Sequence, residues 1–343
     1  MTSTATRAAA GISSGRRSVS RLALGLLGSA VVLGVVCVLS LAVGNKYVPP
    51  GDVWNALVHP GTSYADTVIA SRIPRTVLGL LVGAALAVAG GIMQGLTRNP
   101  LADPGLFGVN TGAAAAIVSA TAVGWGGATS VWVALPGAFA AVVVVYLIGS
   151  GRGPATPVRL VLAGVVVSAL LAAYIQAITL SLPAVFDAYR FWVIGSLAGR
   201  NPHLILDVLP FIVVGLALAL ALSGSLNALA LGDDTARALG AHVGRTRLLG
   251  ALATTLLCAA ATAAVGPISF VGLAVPHIVR SVTGADHRWL LPYCVVAGPA
   301  LLLAADILGR IIVSPGELMV GVVTAFIGGP ILVLAVRRMR AGA

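Results

Sequence analysis

Apolar segments long enough to cross a lipid bilayer recur along almost the entire chain. A helix needs about 20 apolar residues to span the hydrocarbon layer. Ten segments approach or exceed that length, namely Leu22–Val43, Pro74–Leu96, Phe107–Gly124, Val131–Gly149, Val158–Ser181, Leu206–Ser223, Leu248–Gly266, Phe270–Thr283, Leu290–Gly309 and Leu318–Val336. With 58% hydrophobic residues, the chain has too little polar surface for a soluble domain of this length. We therefore predict an all-α polytopic membrane protein with about ten transmembrane helices, the eighth being the shortest.

The positions of Lys and Arg predict the orientation of these helices. If the N-terminus is cytoplasmic, only six of the 21 basic residues lie outside, namely Lys46, Arg72, Arg75, Arg190, Arg200 and Arg310. This is the bias that the positive-inside rule describes, and it explains the net charge of +11 without nucleic acid as a partner. Both termini are then cytoplasmic. We expect a disordered basic tail at residues 1–21, a transmembrane domain at 22–338 and a short cytoplasmic tail at 339–343.

Patterns for cofactor binding and catalysis are missing from the sequence. Its single lysine, Lys46, follows Gly44-Asn45 and not a phosphate-binding G-x-x-x-x-G pattern, so ATP and Mg²⁺ would have to bind a separate ATPase chain. The three cysteines lie in apolar runs, and the five histidines show no ligand spacing. We expect no enzymatic activity, no metal site and no cofactor in this chain.

A polar island from Gly224 to Arg247 separates the sixth and seventh apolar segments. Asp233 is a candidate N-cap for a short helix over Asp234–Leu239, and Gly240 is a candidate left-handed residue that ends it. A structured amphipathic element at the membrane surface indicates a contact with a partner. The plainer interpretation is a solvated loop with an incidental helical turn. The charge bias places the island in the cytoplasm.

The second apolar segment carries a small residue at every fourth position, at Gly79, Gly83, Ala87, Gly91 and Gly95. Residues four apart share one face of a helix, so this pattern predicts close packing against another helix. Gln94 lies beside this face and is predicted to hydrogen-bond to a neighbouring helix. The protein is therefore expected to be a tightly packed bundle.

Two stretches rich in Gly and Pro are expected to interrupt the helices. Asn99 and Pro100 begin a turn after the second segment. In the later stretch, Pro267 and Pro276 bound an apolar run that is followed by His277. Interrupted helices within a membrane need partners for their freed backbone groups and commonly line a transport path, so these residues, together with Gln94, are pathway candidates. For His277, a fixed hydrogen bond is the preferred interpretation over metal binding.

Four segments in order resemble one family of membrane proteins. They are GIMQGLTRNPLADPGLFGVNTGA at Gly91–Ala113, LGDDTARALG at Leu231–Gly240, GPISFVGLAVPHIVR at Gly266–Arg280, and ADILGR with GELMVGVVTAFIGGP within Ala305–Pro330. Together they resemble the FecCD-type permease subunits of ABC importers for ferric siderophores, haem and cobalamin. The resemblance extends from about Leu22 to Arg338. Met319 departs from it, because a proline is expected after Glu317-Leu318.

The resemblance implies ten spans per subunit in a bacterial plasma membrane and a complex with several partners. These partners are a second permease subunit, identical or paralogous, two cytoplasmic ATPase subunits, and an extracytoplasmic binding protein that delivers the chelate. The polar island then resembles the helix that couples a permease to its ATPase. Asp233, Asp234 and Arg237 would supply its charged groups, and Ala236, Leu239 and Gly240 its packed contact surface.

Three outer arginines match the family's docking positions for the binding protein. Arg72 and Arg75 flank Pro74, which fits the first position of the second helix, so both the helix dipole and the positive-inside bias oppose them. Docking to acidic residues is the preferred interpretation over snorkelling to lipid headgroups. Arg310 resembles the third such residue, but for it the preferred interpretation is structural, because it lies at the outer C-terminal end of the ninth span and Asp306, four residues earlier, can pair with it.

Two transport mechanisms agree with the sequence. An ATP-driven importer is favoured, because a secondary transporter needs charged residues deep within the spans and, apart from Asp306, these are missing. Glu317 is interpreted as a structural residue at the start of the last helix. By resemblance, the substrate is a ferric siderophore, with cobalamin or haem as alternatives.

Overall fold

The computed structural model describes residues 19–59, 61–125, 131–151 and 156–341. These residues contain helices and no β-strand. The α-helices are α1 (Val19–Ala42), α2 (Pro50–Val58), α3 (Tyr64–Thr97), α4 (Val109–Ala122), α5 (Val131–Ser150), α6 (Pro157–Ser181), α7 (Pro183–Trp192), α8 (His203–Ala221), α9 (Ser223–Ala230), α10 (Asp233–Ala238), α11 (Val243–Val265), α12 (Val271–Thr283), α13 (His287–Ile312) and α14 (Val320–Ala341). A 3₁₀ turn at Pro104–Phe107 precedes α4.

The ten predicted spans all coincide with helices. Seven described helices are long and apolar enough to cross a membrane, namely α1, α3, α5, α6, α8, α11 and α13. The shorter apolar helices α4 and α12, and the apolar part of α14 at Val320–Val333, match the other three predicted segments. The expected tails differ slightly from the structure, because α1 begins at Val19 and α14 continues to Ala341. Residues 1–18 and 342–343 of the predicted tails lie outside the described residues.

Loop contacts agree with the predicted alternation of the spans. On the predicted outer side, Asn45 Nδ2 donates to the carbonyl of Pro315 at 2.8 Å. On the predicted cytoplasmic side, Asn227 Nδ2 donates to Asp286 Oδ1 at 2.5 Å. Each contact joins two connections between spans that the ten-span topology assigns to the same side of the membrane.

Helices α3 and α11 form the centre of the bundle. In their most apolar stretches, 83% and 78% of residues are buried, against 6% in α1. The small-residue face of α3 packs on α13, as predicted. A Cβ atom at Gly83 would lie 2.6 Å from the backbone of Pro299, and one at Gly95 would lie 2.6 Å from His287 Nε2. Only glycine permits this approach of the two helices.

The prediction for Gln94 is confirmed. Its Oε1 accepts a 2.6 Å hydrogen bond from Arg280 Nη1 on α12, and its Nε2 lies 3.4 Å from the carbonyls of Gly272 and Leu273. Gln94 is 2% exposed, so these contacts satisfy a polar side chain that would otherwise be buried without partners. The pair of Gln94 and Arg280 joins α3 to α12 near their predicted cytoplasmic ends.

The predicted start of the second span at Pro74 is wrong. Helix α3 begins at Tyr64 with a capping box, in which the Ser63 side chain accepts from Asp66 N and Asp66 Oδ2 accepts from Ser63 N. Pro74 therefore lies inside α3, where a proline is tolerated in a packed membrane helix. The argument that the positive helix end faces Arg72 and Arg75 fails for the same reason.

The predicted interruption around Pro267 is confirmed, whereas the one at Pro276 is wrong. Helix α11 ends before Gly266, and α12 begins after Phe270, whose φ of 71° is left-handed. The freed carbonyl of Val265 accepts from Ser196 N at 2.8 Å. Pro276 lies inside α12 without ending it, because α12 continues to Thr283.

Candidate coupling segment and outer docking cavity

The polar island contains most of α9, the short helix α10 and the start of α11. Helix α10 covers Asp233–Ala238, and Gly240 has the predicted left-handed conformation with a φ of 82°. The prediction of Asp233 as N-cap is wrong. Gly232 occupies that position without a side-chain cap, and Asp233 is the first helical residue. The helical interpretation of the island is therefore correct, but the role of its first carboxylate is different.

Asp233 binds two arginines from other parts of the chain. Arg98 Nη2 lies 2.8 Å from Asp233 Oδ1, and Arg247 Nη2 lies 2.8 Å from Asp233 Oδ2. Arg98 follows α3 with a left-handed φ of 51°, and Arg247 belongs to α11. One carboxylate thus connects α10 to the two central helices. The sequence did not identify Arg98 or Arg247 as site residues, because their contacts with Asp233 depend on the fold.

The exposed face of α10 differs from the predicted contact surface at one residue. Ala236 is completely buried against this chain's own core, so the prediction that it contacts a partner is wrong. Asp234 is almost fully exposed and pairs with Arg237 at 2.7 Å. Leu239 is 64% exposed, and Gly240 is also exposed. An apolar side chain flanked by charges remains available at the predicted cytoplasmic surface.

A polar cluster links α9, which precedes α10 in the chain, to the start of α13. Asn227 on α9 donates to Asp286, and its Oδ1 accepts from His287 N at 2.8 Å. His287 Nδ1 lies 2.9 Å from the same oxygen. Asn227 therefore fixes α9 against the first turn of α13. No local sequence pattern indicated this contact, because its two sides are about 60 residues apart.

Two of the predicted docking arginines cap the end of α1. Arg72 Nη1 donates to the carbonyls of Leu41 and Ala42 at 2.6 and 3.1 Å. Arg310 Nη1 donates to the carbonyls of Ser40 and Val43, both at 2.9 Å. The last carbonyls of a helix lack intrahelical partners and carry partial negative charge, so cations stabilise them. Capping of α1 therefore explains the positions of Arg72 and Arg310 without snorkelling to lipid headgroups.

Arg75 belongs to a buried ionic cluster. Its Nε and Nη2 donate to the two oxygens of Asp306, both at 2.9 Å, and its Nη1 lies 2.8 Å from Glu317 Oε2. Asp306 also pairs with Arg310 at 3.0 Å, as predicted. Glu317 precedes α14, and its structural contact is with Arg75. The cluster joins the predicted outer parts of α3 and α13 to the connection that precedes α14.

These groups surround an open cavity of about 640 Å³ on the predicted outer side. It is lined by five basic residues, Lys46, Arg72, Arg75, Arg200 and Arg310, and by one acidic residue, Glu317. Lys46 is exposed and lies 5.2 Å from the Tyr64 ring centre. Arg200 was not singled out from the sequence, although it is one of the six outer basic residues. The cavity therefore attracts acidic groups.

The pathway candidates do not form one site. Asn99 and Pro100 form the predicted turn, in which Asn99 Oδ1 accepts from Leu101 N at 3.0 Å. Pro100 and His277 line one small cavity beside α14. Pro267 instead lines a cavity of about 300 Å³ with polar side chains from α4 and α6, namely Asn110, Thr111, Gln176 and Thr179.

Comparisons with known proteins agree with this architecture. The model of the FecCD transport family matches residues 32–338. The chain is 50% identical to the ferric enterobactin transport system permease protein FepD of Escherichia coli K12, covering 96% of this chain and 99% of that protein. It is 40% identical to the Fe(3+)-citrate import system permease protein YfmD of Bacillus subtilis 168, covering 95% and 97%.

A solved structure, described as an inward-facing conformation of a metal-chelate type ABC transporter, is similar with a TM-score of 0.80. The two chains are 28% identical, and the match covers 92% of this chain and 99% of the other. The family match covers nearly the whole chain and includes the polar island and the residues of the outer cavity from Asn45 to Glu317. The chain therefore belongs to the FecCD transport family of membrane permeases.

Proposed function

We propose that this chain is the permease subunit of an ATP-driven importer and that α10 is its contact with the ATPase. The observation that carries this proposal is the exposed α10, which Asp233 connects to α3 and α11 through Arg98 and Arg247. A displacement of α10 would be transmitted through these ion pairs to α3 and α11, the most buried of the long apolar helices. Such transmission is what alternating access driven from the cytoplasm requires.

The proposed complex contains a second permease chain, two ATPase subunits and an extracytoplasmic binding protein, in a bacterial plasma membrane with both termini cytoplasmic. ATP and Mg²⁺ bind the ATPase. Asp234, Arg237, Leu239 and Gly240 offer it an exposed surface, while Asp233 and Ala236 position that surface. Pro267, Asn110 and Gln176 are proposed to border the transport path, because they line one cavity.

The outer cavity is the proposed docking site for acidic side chains of the binding protein. Arg75 and Lys46 supply direct contacts there. Arg72 and Arg310 contribute their positive charge while they cap α1. Electrostatic complementarity of this kind increases the rate of association and the specificity of a complex.

An iron(III) chelate of the siderophore type is the proposed substrate. The family match and the relatives named for ferric enterobactin and Fe(3+)-citrate support it. Cobalamin or haem remains the alternative, since related permeases are named for both. A gradient-driven transporter has less support, because Asp306 binds two arginines and is not a free carboxylate within a span.

Co-purification from the native host tests the proposed assembly. The tagged chain, extracted in mild detergent, should bring with it an ATPase subunit and a permease chain. When a non-hydrolysable ATP analogue and iron chelate are added to stabilise the complex, a soluble binding protein should co-purify as well. Subunits would be identified by mass spectrometry. Recovery of the chain alone, under conditions in which a known importer from the same host stays intact, would contradict the proposal.

A further inference from the structure

Two carboxylates of this chain bind Arg75, and they differ in how easily each could be replaced. Asp306 makes two contacts with Arg75, and its side chain is 1% exposed. Glu317 makes one contact through Oε2, and its side chain is 32% exposed. A buried carboxylate shared by two arginines is costly to remove, whereas an exposed single contact contributes little. Another carboxylate could therefore replace Glu317 at Arg75 Nη1 more easily than it could replace Asp306.

The cavity around this position favours a carboxylate from outside. Besides Arg75, its lining contains Lys46 and Arg200, and Glu317 is the one acidic residue of the lining. Among the described contacts, the Lys46 ammonium group contacts a ring and no carboxylate, while Arg200 donates to backbone carbonyls. An incoming carboxylate would thus find cations that this chain does not neutralise.

We propose that Glu317 is an internal competitor for the docking site, which an acidic side chain of the binding protein replaces on Arg75 Nη1. This inference rests on the docking role proposed above. Glu317 occupies the guanidinium in the free permease and lowers the affinity for the partner. Docking releases Glu317 while Asp306 keeps Arg75 in place.

The release of Glu317 affects the start of α14. Glu317 lies in the connection between α13 and α14, three residues before Val320. Two other contacts fix this connection, from Asn45 Nδ2 to the Pro315 carbonyl and from Leu318 N to the Gly309 carbonyl. Loss of the ion pair between Glu317 and Arg75 removes the charged contact that attaches this connection to α3. Docking of the binding protein would thereby loosen the start of α14, and α14 packs on α12 and α13.

The test measures the affinity of the binding protein recovered by co-purification for permease in nanodiscs. Glu317→Gln should bind it severalfold more tightly at low salt, and the gain should shrink at high salt. Asp187→Asn is the matched control, because Asp187 is an exposed outer carboxylate paired with Arg190, outside the cavity. It should leave the affinity unchanged, which separates competition from general repulsion of an acidic partner.

A second pair of variants tests docking itself. Lys46→Gln removes an exposed cavity cation and should weaken binding severalfold, whereas Arg190→Gln, outside the cavity, should not. If Lys46→Gln weakens binding and Glu317→Gln binds like the wild type, the competition is disproved and the docking site stands. If neither variant differs from the wild type, the docking site is also wrong.

A distance measurement reports the release directly. Spin labels at Tyr47→Cys and Gly316→Cys, in a chain whose three native cysteines are replaced, would follow the connection by electron paramagnetic resonance. Both positions are exposed. Glu317→Gln alone should broaden the distance distribution as binding of the partner does in the wild type. The same narrow distribution in the free, bound and Glu317→Gln forms would overturn the proposal.

Discussion

Replacing both Asp233 and Arg237 with alanine is expected to abolish transport while the protein remains inserted in the membrane. Loss of Asp233 leaves Arg98 and Arg247 without their carboxylate, and the Arg247 side chain is only 18% exposed. Removal of one partner from a largely buried pair destabilises the local structure strongly. Helix α10 would lose the ion pairs that connect it to Arg98 after α3 and to α11. Uptake of iron chelate by cells should fall to background, and less ATPase should co-purify.

The matched control is Asp52→Ala with Arg190→Ala, which removes one acidic and one basic residue from exposed positions on α2 and α7. It should transport like the wild type. Asp234→Ala should have a smaller effect than Asp233→Ala, since Asp234 contacts only Arg237 on its own helix. Normal uptake by the double alanine variant would disprove the role of α10 in coupling.

Replacing Arg310 with methionine should be among the most destabilising single changes at the outer face. Arg310 is 2% exposed and donates to the Ser40 and Val43 carbonyls as well as to Asp306. Its loss leaves the Ser40 and Val43 carbonyls at the end of α1 without their donor, while Arg72 still caps Leu41 and Ala42, and it leaves one buried carboxylate with a single arginine. We expect a loss of about 3–5 kcal/mol, the usual effect of breaking a buried ion pair.

Thermal unfolding in detergent would measure this effect, with Arg190→Met as the control. Arg190 is half-exposed and pairs with Asp187 within one helix, so its replacement should change stability by less than about 1 kcal/mol. Equal midpoints for the two variants would contradict the capping role of Arg310. Loss of docking without loss of stability would instead favour a direct contact of Arg310 with the partner.

Local sequence patterns predicted the structural features that depend on residues close to one another in the chain. Gly240 has the left-handed conformation, Asn99 forms its turn, and the small residues of α3 face α13. The lengths of the apolar segments were sufficient to locate the ten apolar helices among the fourteen α-helices of the described residues. In each case the relevant atoms lie within a few positions of one another or on one helical face.

Contacts between distant residues could not be predicted in the same way. Arg75 binds Asp306 across 231 positions, and Arg98 binds Asp233 across 135. Asp233 looked like an N-cap because aspartate is common there, but these tertiary ion pairs use its carboxylate. Pro74 looked like a helix start because the capping box at Ser63 and Asp66 precedes the apolar run.

Uptake by purified complex in proteoliposomes tests the central claim most directly. The chain would be reconstituted with its co-purified ATPase and binding protein, and iron(III)–enterobactin and iron(III)–citrate would be offered outside. We predict accumulation of chelate that requires internal Mg-ATP, occurs without any ion gradient and is lost in the Asp233/Arg237 double alanine variant. Accumulation driven by a proton or sodium gradient without ATP, and unaffected by that variant, would contradict the account.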